Sequence, residues 1–454
     1  MEDIAKSLFE RKFGNSEGQD DIGTKRNRTS STIGVAAPGR VNLIGEHTDY
    51  NEGFVMPLAL EKRTAAVASM NEYATSSRCR IVSALNESDV VEFTLDDTSD
   101  SLKAGADSSW ASYVKGVIKQ YFAELVEKAG IPSGEKGQAV RGFDAAFASD
   151  VPLGGGLSSS ASLEVCTAIL LETLYGISTV NKCDRALRCV EAEHTFANVP
   201  CGIMDQFISS CATPGCALLI DCRSKETEAV DLNDDSIRIV VTNSNVKHKL
   251  SGSEFPTRVA QCKEACKIIQ AELSSEQSIP VDGESSGKVR THLRDVTMEE
   301  LEAVNAKGKL DEVIYRRARH GISEDVRTLA AVKHAQNKEY AELGKLMVQS
   351  HNSLRDDYEV STPEIDFIVE HATQQPGVFG ARITGGGFGG CVVSLVRTED
   401  VEAFITSLEA AYVAKFSTPC TSFSTKCGHG AHTLWAAAPA QVPVAAAAAP
   451  KNSS

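Results

Sequence analysis

The sequence predicts an α/β protein of two domains. Strand-like apolar runs interleave with amphipathic helical stretches along most of the chain, and 454 residues exceed what one hydrophobic core normally serves. Hydrophobic residues (42%) and charged residues (24%) are balanced as in a water-soluble globular protein. A net charge of −15 argues against nucleic-acid or anionic-membrane partners, which need a basic face. It leaves room for an anion held locally by backbone dipoles and an arginine. The amphipathic, partly acidic start has no apolar signal core, and no run of 18 apolar residues exists, so neither secretion nor a membrane span is expected. The thirteen cysteines are scattered without C-x-x-C or Cys/His spacing, which reads as reduced thiols in a cytoplasmic protein rather than a zinc site.

The elements follow in order. Residues 4–13 repeat apolar side chains at helical spacing, and 14–33 are a polar Gly/Ser/Thr loop. Ala37–Gly53 (A-P-G-R-V-N-L-I-G-E-H-T-D-Y-N-E-G) is too polar for a buried strand, and only Val41–Ile44 reads as a short one between turns. Residues 54–60, 64–70, 80–82 and 90–95 read as strands, and Trp110–Lys128 as a strong amphipathic helix. A strand at 142–149 runs into Gly154-Gly-Gly-Leu-Ser-Ser-Ser160 and a helix to about Tyr175. A second helix, about 181–196, carries Glu193. Strands at 217–221 and 237–243 open the second half, and helices follow at 255–273, 297–306, 309–335 and 338–354. Residues 274–292 read as an exposed insertion. A strand at 378–383, five glycines within Gly385–Gly390, a strand at 391–396 and a helix at 401–415 complete the folded part. From Ala436 the Ala/Pro-rich tail is expected to be disordered.

Three segments carry chemistry. Between a strand and a helix, Gly154, Gly156, Ser158 and Ser159 form a phosphate cradle: glycines admit an anion to the backbone N–H groups, and the helix start adds its positive dipole end. The equally open alternative is a Gly turn with a serine cap. Gly385, Gly387 and Gly390 satisfy G-x-G-x-x-G, but the next residues read as a strand, so a dinucleotide site is rejected. Such dense glycine must pack close to a ligand or to the first glycine loop. Asp205, in C-G-I-M-D-Q, is either a helix cap or a carboxylate poised beside a substrate hydroxyl.

Together these segments resemble the GHMP kinases and, within them, the galactokinase family, whose signature matches Gly39–Asn51 (G-R-V-N-L-I-G-E-H-T-D-Y-N). Val151–Val165 and Thr384–Gly390 match the second and third motifs in family order, and the resemblance covers about residues 1–435. It implies a two-lobed α/β fold with the active site in the cleft: an N-terminal lobe (1–210) with a mixed sheet and helices, a C-terminal lobe (211–435) with an antiparallel sheet and helices, and a disordered tail (436–454). It also implies transfer of the γ-phosphoryl of ATP, with Mg²⁺, to O1 of α-D-galactose by a monomer.

By position, Arg40, Glu46, His47, Asp49, Gly202, Asp205 and the residue at Phe255 would contact sugar. Gly154, Gly156, Ser158 and Ser159 would hold ATP, Ser159 and Glu193 would hold Mg²⁺, and Asp205 with Arg40 would be catalytic. Phosphoryl transfer asks mainly for positioning and charge neutralisation, which this set supplies.

One departure stands out: Phe255 occupies a position where animal-type members usually carry tyrosine, so a hydrogen bond to the sugar is expected to be missing. The rival functions are an N-acetylgalactosamine kinase, an arabinose or galacturonate kinase, and a sugar sensor without turnover. The sensor is disfavoured because Ser160-Ala161, Arg40 and Asp205 are all present.

Overall fold

The structure is a computed structural model that describes residues 1–14, 32–71, 76–96, 102, 110–130, 140–199, 201–246, 254–276 and 289–436. Most of the 14–33 loop, of the 274–292 insertion and of the tail lies outside these residues.

In chain order the principal elements are α1 (Glu2–Phe13), β1 (Ile33–Asn42), β2 (Phe54–Val55), β3 (Pro57–Met70), β4 (Arg78–Ser83), β5 (Asn86–Thr94), α2 (Ala111–Lys128), β6 (Phe143–Ser149), α3 (Ser159–Tyr175), α4 (Lys182–Ala192) and α5 (Met204–Cys211). The second half holds β7 (Cys216–Asp221), β8 (Thr227–Asp231), β9 (Ile237–Asn243), α6 (Glu254–Glu276), α7 (Met298–Ala306), α8 (Glu312–Gln336), α9 (Tyr340–Asp356), α10 (Pro363–Thr373), β10 (Val378–Thr384), β11 (Cys391–Arg397), α11 (Val401–Phe416), β12 (Thr421–Thr425) and β13 (His432–Trp435).

A six-stranded sheet, ordered β13-β1-β3-β6-β4-β5, forms the spine of the N-terminal half. It is mixed: β4 and β6 run parallel, and the other neighbours run antiparallel. Alternation along its strands sorts side chains by face. Ala66, Ala68, Ile81 and Ala145 pack against α2 and α3, whereas Val67, Val82 and Ala146 pack against Leu8, Phe9 and Phe13 of α1. The second sheet, β10-β11-β9-β12, is antiparallel throughout, and a small antiparallel sheet, β2-β7-β8, stands beside it. A shared apolar layer joins Val41, Leu43, Ile44 and Met56 to Ile239, Val241, Leu343 and Val393 of the second half. It brings the polar ends of β1, α3 and β10 to one place. No helix among the described residues is long and apolar enough to cross a membrane.

Several expectations are corrected. The polar signature begins inside a buried strand, since β1 is buried at every position. Arg40 and Asn42 are admitted there because partners satisfy them: Asn42 N–H donates to Thr384 Oγ1 at 2.9 Å, and its carbonyl accepts from Arg382 at 2.8 Å. Leu43 and Ile44 then leave the strand as a bend. The expected strands at 54–60 and 64–70 become the two-residue β2 and one fourteen-residue strand, β3, because Glu61–Arg63 continue the extended chain on its exposed side. The insertion is shorter than expected, with α6 running to Glu276 and Arg290 buried against Glu300. β8, α10, β12 and β13 were not foreseen.

Candidate active site

Arg40 is 5% exposed near the end of β1. Its Nε donates to Asp205 Oδ1 and its Nη2 to Asp205 Oδ2, both at 2.7 Å, a two-pronged pairing that fixes the carboxylate plane. Its Nη1 donates to the Gly156 carbonyl, and its backbone N–H donates to the Leu157 carbonyl at 3.1 Å. Asp205 lies in the first turn of α5 with its side chain 26% exposed, so the carboxylate keeps an open side. The Ser158 hydroxyl also donates to it. Ser158 holds φ at +59°, a conformation that costs a non-glycine residue energy, and α3 starts at the next residue. The glycine loop, Arg40, Asp205 and the start of α3 are therefore one hydrogen-bonded unit, with free helical N–H groups directed at the loop.

The third glycine segment packs onto the first. Gly385 has φ +88°, and a side chain there would begin 2.9 Å from the Gly156 carbonyl oxygen. The Gly385 backbone also lies close to the Glu46 carboxylate. Of the two expected reasons for dense glycine, close packing against the first glycine loop is the one found at this point.

Glu46 is buried and paired with Arg382 at 3.0 Å. Burial raises its carboxyl's pKa, against the pull of Arg382 and Arg40. His47 occupies a left-handed conformation (φ +62°). Its Nδ1 bonds the Tyr50 hydroxyl at 2.8 Å, which bonds the Tyr358 hydroxyl at 2.6 Å. The Gly386 backbone approaches the ring without a hydrogen bond of normal geometry, leaving Nε2 unpartnered. Burial first, then neighbouring positive groups, push His47 down to about 3, so it is neutral near pH 7. Asp49 Oδ1 accepts from the Tyr50 N–H at 3.0 Å, and any side chain on Gly202 would overlap the Asp49 carboxylate. Burial, followed by the Asp205 charge, pushes Asp49 up to about 7. The Phe255 ring centroid lies 5.9 Å from His47 and 5.2 Å from Tyr50, beside this cluster.

Glu193 stands where α4 widens into a π turn, Glu193–Ala197, a local feature frequent at functional sites. Its carboxylate accepts from Gln206 Nε2 at 2.5 Å and from Cys201 Sγ at 3.3 Å, with the Ser160 side chain close by. Gln206 Nε2 also donates to the buried Glu164 at 3.0 Å. Burial and then the Asp205 charge raise the Glu193 carboxyl, and one oxygen of Glu164 has no partner. Hard oxygen donors carrying surplus negative charge suit Mg²⁺, which takes one or two carboxylates and completes its shell with water and phosphate.

A model described as the galactokinase galactose-binding signature matches residues 25–70, and the GHMP kinase N-terminal and C-terminal models match 112–213 and 329–414. Human galactokinase is 46% identical over 365 residues, covering 80% of this chain and 84% of the relative. The chain belongs to the galactokinase family of the GHMP kinases. It is accordingly an ATP-dependent sugar kinase with the mixed α/β, two-domain GHMP fold. Clostridium acetobutylicum galactokinase is 40% identical, covering 84% of this chain and 89% of the relative. A crystal structure of Lactococcus lactis galactokinase complexed with galactose superposes with a TM-score of 0.78 at 30% identity, covering 94% and 98% of the two chains.

Seen in this family setting, Arg40, Asp205, Gly156 and Ser158 form one cluster, and Glu46, His47, Asp49, Gly202 and Phe255 form the adjoining one. Glu193 stands beside Gln206, the residue after Asp205. Sequence reasoning missed Arg382, Tyr50, Tyr358 and Gln206. The signal for Gln206 was present, since it adjoins Asp205.

Proposed function

We propose that the chain transfers the γ-phosphoryl group of MgATP to O1 of α-D-galactose, giving galactose 1-phosphate and ADP. The observation that carries this reading is the Arg40–Asp205 pairing set between a phosphate-type glycine loop and a wall of sugar-binding character. Glu46, His47 Nε2 and Asp49 take the sugar hydroxyls, with Gly202 admitting the sugar and Asp49 side by side and Phe255 closing the site. A site built to satisfy hydroxyls in this way rejects an epimer strongly, because a misplaced hydroxyl leaves buried groups unpaired.

Gly154, Gly156, Ser158 and Ser159, at the start of α3, receive the phosphates. Glu193 and Ser159 would hold Mg²⁺, which neutralises phosphate charge when bound. Asp205 accepts the O1 proton as the O1–Pγ bond forms and the bond from Pγ to the ADP oxygen breaks. A carboxylate is too weak a base to strip an alcohol in a separate step, so proton transfer accompanies or follows bond formation. Arg40 holds the Asp205 plane and offsets charge on the transferred group.

The same reading takes residues 1–210 and 211–435 as the two lobes and the protein as a cytoplasmic monomer acting on small molecules. The test is ADP release by the purified chain with MgATP and, in turn, galactose, N-acetylgalactosamine, arabinose and glucose. Galactose is expected to be the preferred acceptor. Equal or better turnover of N-acetylgalactosamine would shift the assignment to that sugar.

A further inference from the structure

α8 comes from the distant second half of the chain, yet three of its buried side chains grip the backbone of the 45–54 loop. His320 Nε2 bonds the Glu46 carbonyl at 3.0 Å. One turn later, Glu324 Oε1 accepts from the N–H groups of Gly45 at 2.9 Å and Glu46 at 3.3 Å. Asp325 Oδ1 accepts from Phe54 N–H at 2.8 Å, and its carboxylate lies against Gly53. His320 and Glu324 are wholly buried.

Each of the two is itself held. Ser350 donates to Glu324 Oε1 at 2.5 Å and Arg327 to Oε2 at 2.8 Å. Burial opposes the Glu324 charge, but Arg327 foremost keeps its carboxyl down at about 2. Burial pushes His320 down to about 4, so its ring is neutral at pH 7 and carries its proton on Nε2 to meet the Glu46 carbonyl. Its Nδ1 lies 2.9 Å from the Ser353 hydroxyl oxygen, which also faces the Asp357 carboxylate at 3.0 Å. The His320 ring also packs on Tyr358 at 4.5 Å between centroids, and Tyr358 packs on His47 at 4.8 Å. Both peptide groups flanking the Glu46 side chain, and one face of His47, are thereby referred to a single helix.

We infer that His320 and Glu324 are positioning residues for sugar recognition: they orient the Gly45–Glu46–His47 backbone and so place the Glu46 and His47 side chains for the acceptor. The inference rests on the sugar-binding reading of Glu46 and His47. Because the loop's own side chains meet the ligand, a small tilt of these peptides alters sugar contacts while leaving the Arg40–Asp205 pairing and the phosphate loop in place.

The test is steady-state kinetics on full-length His320→Leu, His320→Gln, Glu324→Gln and Ser350→Ala beside the parent chain. His320→Leu removes the donor to the Glu46 carbonyl and is expected to raise the galactose KM about tenfold, the effect of roughly one buried hydrogen bond lost. kcat and the ATP KM stay within about twofold, a split that general weakening of the fold does not produce. His320→Gln, which keeps an N–H donor, restores most of the galactose KM. Glu324→Gln and Ser350→Ala raise it several-fold with the same selectivity. A galactose KM unchanged in all variants overturns the inference, as does a parallel change in galactose KM, ATP KM and kcat. If His320→Leu does not fold, Ser350→Ala, which only trims the support of Glu324, decides by the same criteria. A parent chain that fails to phosphorylate galactose overturns the sugar reading instead, so the two failures are distinguishable.

Discussion

Arg40 and Asp205, 165 positions apart, meet through two hydrogen bonds of 2.7 Å, and the third arm of the same guanidinium grips the Gly156 carbonyl. One side chain thus sets the carboxylate plane and the edge of the phosphate loop together. Arg40→Lys keeps the charge and loses the fork. Charge-assisted hydrogen bonds contribute about 1.5–3 kcal/mol each, so loss of one predicts a kcat fall of about tenfold to a hundredfold. Initial-rate kinetics at saturating ATP and galactose check this. Activity within twofold of the parent would mean that the fork does not matter.

Phe255 keeps the ring packed beside His47 and Tyr50 but offers no hydroxyl. Phe255→Tyr is expected to lower the galactose KM about fivefold, corresponding to one net hydrogen bond of about 1 kcal/mol, with kcat unchanged. A galactose titration of the variant decides it, and an unchanged KM removes Phe255 from the sugar site.

Asp49 predicts a pH dependence of sugar binding. Its carboxyl is pushed up to about 7 in the sugar-free protein, by burial first. A raised carboxyl stabilises the fold below its ordinary pKa, and that stability is lost as pH rises toward 7. Sugar hydroxyls donating to Asp49 favour the ionised form, so galactose binding strengthens several-fold from about pH 5.5 to about pH 8 and releases protons. Calorimetry in buffers of different ionisation enthalpy measures both effects. Asp49→Asn is expected to bind more weakly with a flatter profile. Parallel profiles for parent and variant would assign the titration elsewhere.

Gly385→Ala sets a methyl against the Gly156 carbonyl and imposes φ +88° on an alanine. The strain is expected to cost about 1–3 kcal/mol, lowering Tm and raising the KM for both substrates, since the segment touches the phosphate loop and Glu46 alike. Thermal melts and kinetics on one preparation check it. A change confined to Tm would mean that the loops tolerate separation.

The sequence revealed most where chemistry is concentrated in short stretches. The 37–53 signature, the 154–160 loop and the run ending at Asp205 each announce themselves by glycine or charge density. Arg382 was hidden because a lone arginine in a strand ordinarily reads as its solvent side. Its partner Glu46 lies 336 positions away, and only the fold reveals the pairing. The burial of β1 was misjudged for the same reason, since Arg40 and Asn42 looked too polar for an interior until their distant partners appeared. Ser159 and Ser160 adjoin at a helix start. The turn into that helix is set by Ser158, whose left-handed backbone no local pattern signalled.

Asp205, as the proposed acceptor of the sugar proton, is the centre of this chemistry. The most direct measurement is single-turnover phosphorylation of galactose by Asp205→Asn, with galactose and ATP binding determined on the same sample. Asparagine retains the shape and some hydrogen bonding but cannot take the proton. Both ligands are expected still to bind while galactose 1-phosphate formation falls by about a hundredfold or more. Product formation near the parent rate with both ligands bound would contradict it.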